Sequence, residues 1–191
     1  MSKQNCRMAA VQMVSGPRVA ENLATAGRLI EDAVAQGAQL VVLPEYFPII
    51  GAADADRVRA REDFGTGPVQ EWLAETARRH GIWIFAGSIP LTATVVDKMR
   101  NSSLAFNPDG ECIARYDKMH LFGFRMGDES YDESAFIEAG VQPVAVDTLR
   151  RAFGHSLQAD ATSAAMTAPI ASMPMSVDRM EWEHIQRVLR E

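Results

Sequence analysis

Three short apolar runs, separated by two helical patterns between residues 8 and 90, leave this chain few architectures to adopt. MAAVQM (8 to 13), LVVLPEYF (40 to 47) and IWIFAGSIP (82 to 90) each read as a buried strand. Between the first two, ENLATAGRLIEDAVAQG (21 to 37) sets Leu23, Leu29, Ile30 and Val34 at helical spacing, with Gly37 in the C-cap position. Between the second and third, PVQEWLAETARRHG (68 to 81) has proline at its start and gathers Val69, Trp72, Leu73 and Ala77 on one face. It stops at Gly81. The stretch from Gly51 to Gly67 reads as a polar loop. Strand-length runs alternating with helices predict parallel strands joined by right-handed crossovers, an α/β fold.

Two further strands differ in kind. SSLAFN (102 to 107) and ECIARYDKMH (111 to 120) flank Asn107-Pro108-Asp109-Gly110, a hairpin turn. PVAVDT (143 to 148) reads as one more strand. After Thr148 the character changes: residues 149–175 are linker-like, rich in Ala, Ser, Thr, Met and Pro, without the aromatic or β-branched runs that build a core. In residues 176–191, Ser176 caps a short amphipathic helix with Trp182, Ile185, Val188 and Leu189 on one face.

Composition removes several function classes. A chain of 191 residues suits one domain with a real core. A net charge of −6 supplies no basic footprint, which argues against nucleic acid as the main partner. No run approaches the roughly 18 apolar residues of a membrane helix, and the N-terminus lacks a signal-peptide core. Two cysteines, Cys6 and Cys112, make no disulfide framework and show no metal-ligand spacing. The expected setting is the reducing cytoplasm, with no cofactor and no metal.

Four kinds of residue carry candidate chemistry. Glu45 ends the LVVLPEYF run, at the strand edge where α/β folds gather their sites. It reads either as an exposed loop glutamate or as a desolvated carboxylate fit to act as general base. Lys118, in RYDKMHLFGF, is either a surface lysine paired with Asp117 or a fixed cation for an oxyanion. His120, beside Leu121 and Phe122, reads as a packed or hydrogen-bonded core residue. Cys6 and Cys112 have no histidine near them in sequence and read as structural or incidental.

Together, MAAVQM, LVVLPEYF, IFAGSIP, NSSLAFNPDGECIARYDKMHLF and ESYDESAFIEAG resemble the nitrilase, or carbon-nitrogen hydrolase, superfamily in its Nit-type and omega-amidase-like branch, over about residues 8–148. The resemblance implies an α-β-β-α sandwich, of which this chain would form a truncated half, and a small-molecule amide as substrate. It assigns the general base to Glu45 and the oxyanion-stabilising lysine to Lys118. A second, auxiliary glutamate falls on Glu133 within YDES, with Glu129 close by. It also implies a nucleophilic cysteine just after the segment matching PVAVDT. There the chain reads LRRAFGHSLQAD (149 to 160), and Gln158 stands near the expected position. A glutamine has no thiol, so the expectation is a hydrolase-type domain that is inactive as this chain.

Two other readings follow from the remaining sequence. A half-sandwich leaves apolar sheet surface and strand edges open, which predicts homo-oligomerisation or aggregation and a non-catalytic protein acting by association. Separately, MSVDRMEWEHIQRVLRE resembles the entry to the helix-turn-helix domain of RegA/PrrA-type response regulators. That resemblance stops before any recognition helix and implies a fragment of a DNA-binding regulator.

Overall fold

The structure, a computed structural model, describes residues 6–146. Residues 147–191, with Gln158, the linker-like stretch and the terminal helix expected at 176–191, lie outside the described residues.

The predicted alternation folds as parallel strands and helices. Strand β1 (Met8–Ala10) leads into helix α1 (Val19–Ala35), strand β2 (Leu40–Val42), helix α2 (Asp54–Arg59), helix α3 (Pro68–His80) and strand β3 (Trp83–Phe85). β1, β2 and β3 pair in parallel, with Ala10 opposite Val42 and Val42 opposite Phe85. Strands β4 (Ile89–Thr92), β5 (Met99–Phe106) and β6 (Cys112–Asp117) then extend the sheet antiparallel. β5 pairs with β3 at its C-terminal end and with β4 at its N-terminal end, while β6 lies along its other side.

Four expectations need correction. The 82–90 run is two strands, because Gly87 (φ 48°) breaks it where the backbone passes against Leu43 and Pro44. The loop expected from Gly51 to Gly67 contains α2. Its aspartates, Asp54 and Asp56, occupy the first turn and Arg57 and Arg59 the last, with ion pairs Asp54–Arg57 and Asp56–Arg59 that suit the helix dipole. Residues 143–146 form no strand and pair with no ladder, and Asp147 and Thr148 fall outside the described residues. LVVLPEYF is strand only as far as Val42, then turns, with Tyr46 in the left-handed region (φ 53°).

A second, two-stranded sheet was not foreseen. Strands β7 (Gly123–Met126) and β8 (Glu129–Asp132) form a hairpin closed at Gly127 (φ 60°), followed by a 3-10 turn at Glu133–Ala135. Aromatic contacts join Phe122, Phe124, Tyr131 and Phe136, with ring centroids 6.0–6.4 Å apart.

The core lies between one face of the large sheet and the helices. Val41, Ile84, Leu104 and Phe106 point to α1 and α3, where Ala26, Ile30, Leu73 and Ala77 are buried. Each large side chain buried there contributes about 1.5–3 kcal/mol. The opposite face carries the register row Ala10, Val42, Phe85, Ala105 and Ala114, with no helix layer over it among the described residues. One large sheet with a helical layer on one face, and the small β7–β8 sheet, are therefore described. No described helix is long and apolar enough to cross a membrane.

Candidate active site

Glu45 lies three residues beyond β2, in the turn after Pro44, on the C-terminal side of the parallel strands. Lys118 follows β6 directly. Glu133 opens the 3-10 turn after the β7–β8 hairpin. These segments are far apart in sequence, yet they converge on the lysine. Lys118 Nζ is 3.3 Å from Oε1 of Glu45, and 3.0 and 3.2 Å from the two oxygens of Glu133.

Glu133 is 5% exposed and is the buried partner of the pair. Besides the ammonium, it accepts the Phe122 N–H at 2.7 Å, while its own N–H donates to the Phe122 carbonyl at 2.9 Å. Burial of an ionised carboxylate requires such donors. Glu129 sits exposed on β8, so the geometry distinguishes the two glutamates of this segment. Of its two readings, Glu45 takes the exposed one: its side chain is 55% exposed, because the turn carries it past the end of the strand.

Lys118 is not the surface partner of Asp117. Asp117 faces the other way and accepts from Ser102 at 2.6 Å and from Arg115 at 2.8 Å, with Arg100 at 3.6 Å. Partial burial works against the Lys118 ammonium, but the hydrogen bond it donates to Glu133 and the charges of Glu45 and Glu133 outweigh it. Its pKa therefore lies above the ordinary lysine value.

Sequence reasoning missed two residues that shape this cluster. Asn101, on β5, donates from Nδ2 to Oε1 of Glu45 at 2.7 Å, and its carbonyl accepts the Lys118 N–H at 2.9 Å. Ser88 Oγ accepts the N–H of Tyr46 at 3.0 Å and anchors the left-handed residue next to Glu45. The Tyr46 ring is sealed by the Arg57 guanidinium, 4.6 Å from its centroid and 5.0 Å from that of Phe136. Burial pushes the Tyr46 phenol well above its ordinary pKa, with the charge of Arg57 opposing it. Both the NSS stretch and Ser88 read as ordinary strand or loop polarity, so only the fold reveals the contacts. His120 is exposed, contrary to the packed reading, because the chain bends outward after Lys118.

The sequence pattern of the family described as carbon-nitrogen hydrolase matches residues 7–163. The chain belongs to the carbon-nitrogen hydrolase family. Among relatives of this carbon-nitrogen hydrolase, the deaminated glutathione amidase of Yersinia enterocolitica is 36% identical over 148 residues, covering 76% of this chain and 51% of that protein. The chloroplastic omega-amidase of Arabidopsis thaliana is 37% identical over 131 residues, covering 66% of this chain and 35% of its own. The NitFhit protein of C. elegans superposes with a TM-score of 0.63 at 29% identity, over 72% of this chain and 34% of that one. Its neighbours thus place the α/β fold in the nitrilase superfamily. The chain spans about half the length of the curated relatives it matches.

Both cysteines of this carbon-nitrogen hydrolase chain lie among the described residues, and neither is at the lysine cluster. Cys112 pairs with Phe106, at the far end of β5 from Asn101. Five residues along a strand span roughly 17 Å. Cys6 precedes β1, whose Met8 pairs with Leu40, so it lies beyond the opposite edge of the sheet from Glu45.

Proposed function

We propose that Glu45, Lys118 and Glu133 are the general base, the oxyanion-stabilising cation and the auxiliary carboxylate of a carbon-nitrogen hydrolase site that lacks its nucleophile in this chain. The single observation that carries the reading is the convergence of both carboxylates on one lysine, at 3.0 to 3.3 Å, from three separate segments.

The chemistry such a site serves is amide hydrolysis through a thioester. A carboxylate base takes the proton of a thiol, and the thiolate attacks the amide carbon. The carbonyl oxygen becomes an oxyanion, which a fixed ammonium stabilises. The base returns its proton to the departing nitrogen, ammonia leaves, and the same base then activates the water that cleaves the thioester. Lys118 suits the cationic role because its raised pKa keeps it charged throughout the neutral range. Glu45 suits the base because its turn leaves it open to a reacting group, whereas Glu133 is enclosed. The substrate class is a small amide, with a dicarboxylic acid monoamide as the specific candidate.

No thiol reaches the cluster, so this chain performs none of the covalent steps. Incubated with a dicarboxylic acid monoamide, it should release ammonia no faster than its Glu45→Gln variant or a protein-free control. Turnover that disappears in Cys6→Ser or Cys112→Ser would refute this reading. A cytoplasmic setting is the location this reading favours, and two free cysteines suit a reducing compartment.

The open sheet face supports a second property, self-association. On the face without a helix layer Val42 is 40% exposed and Met8 on the edge strand 61% exposed, while Val144 and Val146 lie beside Phe85, Ala105 and Ala114 farther along it. Light scattering coupled to size exclusion should show mass rising with concentration, and Val42→Lys should suppress the rise. A constant monomer mass over the same range would rule it out.

A further inference from the structure

Asn101 is a side chain at this site whose presence packing alone does not explain. It is 2% exposed on β5, and its Oδ1 is buried with no hydrogen-bond partner among the described residues. An unsatisfied buried acceptor destabilises a fold, and an apolar residue of the same shape would avoid that cost. What the asparagine provides is its other end. A carboxylate oxygen accepts only, so Nδ2 must face Glu45, which fixes the orientation of the amide. The same Oε1 of Glu45 also receives Lys118 Nζ at 3.3 Å, and among the described residues no hydrogen bond is made to Oε2. The backbone of Asn101 holds the other partner, since its carbonyl accepts the Lys118 N–H at 2.9 Å. One residue therefore sets both the reach of the carboxylate and the root of the ammonium.

We propose that Asn101 is a positioning residue: it holds Oε1 of Glu45 against Lys118 and leaves Oε2 as the open oxygen, the one placed for a base's proton exchange. The role rests on the reading of Glu45 and Lys118 as base and cation. An exposed glutamate on a turn samples many rotamers, and a second donor on Oε1 reduces that freedom.

The test follows the titration of the Lys118 ammonium by heteronuclear NMR in the full 191-residue chain. Wild type is compared with Glu45→Gln, Asn101→Leu and Asn101→Ala, the last serving if the leucine disturbs packing. Folding of each variant is checked by amide dispersion. Glu45→Gln is expected to lower the Lys118 midpoint by removing a charge. Asn101→Leu should lower it by most of that amount while the melting temperature stays level or rises, which a purely structural asparagine would not produce. If Glu45→Gln lowers the midpoint and both Asn101 variants leave it unchanged, Glu45 is held without Asn101 and the proposal falls alone. If Glu45→Gln itself leaves the midpoint unchanged, the base and cation are not coupled, and the site reading falls with it.

Discussion

Lys118→Met should destabilise the protein by about 3–5 kcal/mol, the usual consequence of removing one partner from a buried ion pair. The loss comes from Glu133 and not from Glu45. Glu45 is largely solvated, and an exposed pair is worth only about 0–1 kcal/mol. Glu133 is 5% exposed and would keep, among the described residues, only the backbone N–H of Phe122 as a donor to its carboxylate. In thermal unfolding this corresponds to a fall on the order of 10 °C for a domain of this size. Adding Glu133→Gln to Lys118→Met should recover most of the loss, because the uncompensated charge is then gone. The double-mutant cycle therefore has a coupling energy well above the error of additivity, roughly 0.5 kcal/mol. Equal stability of wild type and Lys118→Met would show that the ammonium does not neutralise Glu133.

The pH dependence of that margin has a definite sign. The folded-state pKa of Lys118 is raised above the unfolded one, so its contribution is complete below the ordinary lysine value, about 10.4. It is lost only as the pH climbs through the higher folded value. The gap between wild type and Lys118→Met should thus stay flat across neutral pH and close in strongly alkaline solution.

How much of this was readable beforehand depends on the range of the interaction. Helix α3 could be read directly, since proline at its start, an apolar face and Gly81 in the left-handed C-cap are local signals. Glu45 and Lys118 stood out because each closes a strand-like run, while Glu133 was reached through the family motif. Helix α2 was missed because none of its residues is buried, so no apolar periodicity announces it. The β7–β8 hairpin was missed because Arg125, Glu129 and Asp132 break any apolar run, and its aromatic packing joins Phe124 and Tyr131 on the strands to Phe122 and Phe136 beyond them. PVAVDT has a strand-like pattern, but a strand also needs a partner, and alternation alone does not specify one. Asn101 and Ser88 touch residues 56 and 42 positions away, which no local pattern encodes. Of the two readings of Glu45, the exposed loop glutamate is the one the structure shows; which of them held depended on where the chain turned after Pro44.

Gly87→Ala should be the most damaging single-methyl change near the site. Its φ of 48° is left-handed, which costs an alanine about 1–2 kcal/mol. A Cβ there would also run into the carbonyl oxygens of Leu43 and Pro44, both backbone atoms that no rotamer change can move aside. Overpacking of this kind adds about 1–3 kcal/mol. Gly81 provides the internal control. It is also left-handed (φ 62°), but a Cβ there meets nothing within 4 Å, so Gly81→Ala should incur only the conformational part. Chemical denaturation of the two variants separates the contributions. The displaced atoms matter for the site as well, because Pro44 carries Glu45 and the neighbouring Ser88 holds the N–H of Tyr46. The clash falls on the backbone that leads into Glu45, so Gly87→Ala should also disturb the Glu45–Lys118 contact and lower the Lys118 titration midpoint, and Gly81→Ala should not. Equal destabilisation by the two substitutions would mean that the left-handed conformation alone, and not the close approach of the two backbones, requires glycine at position 87.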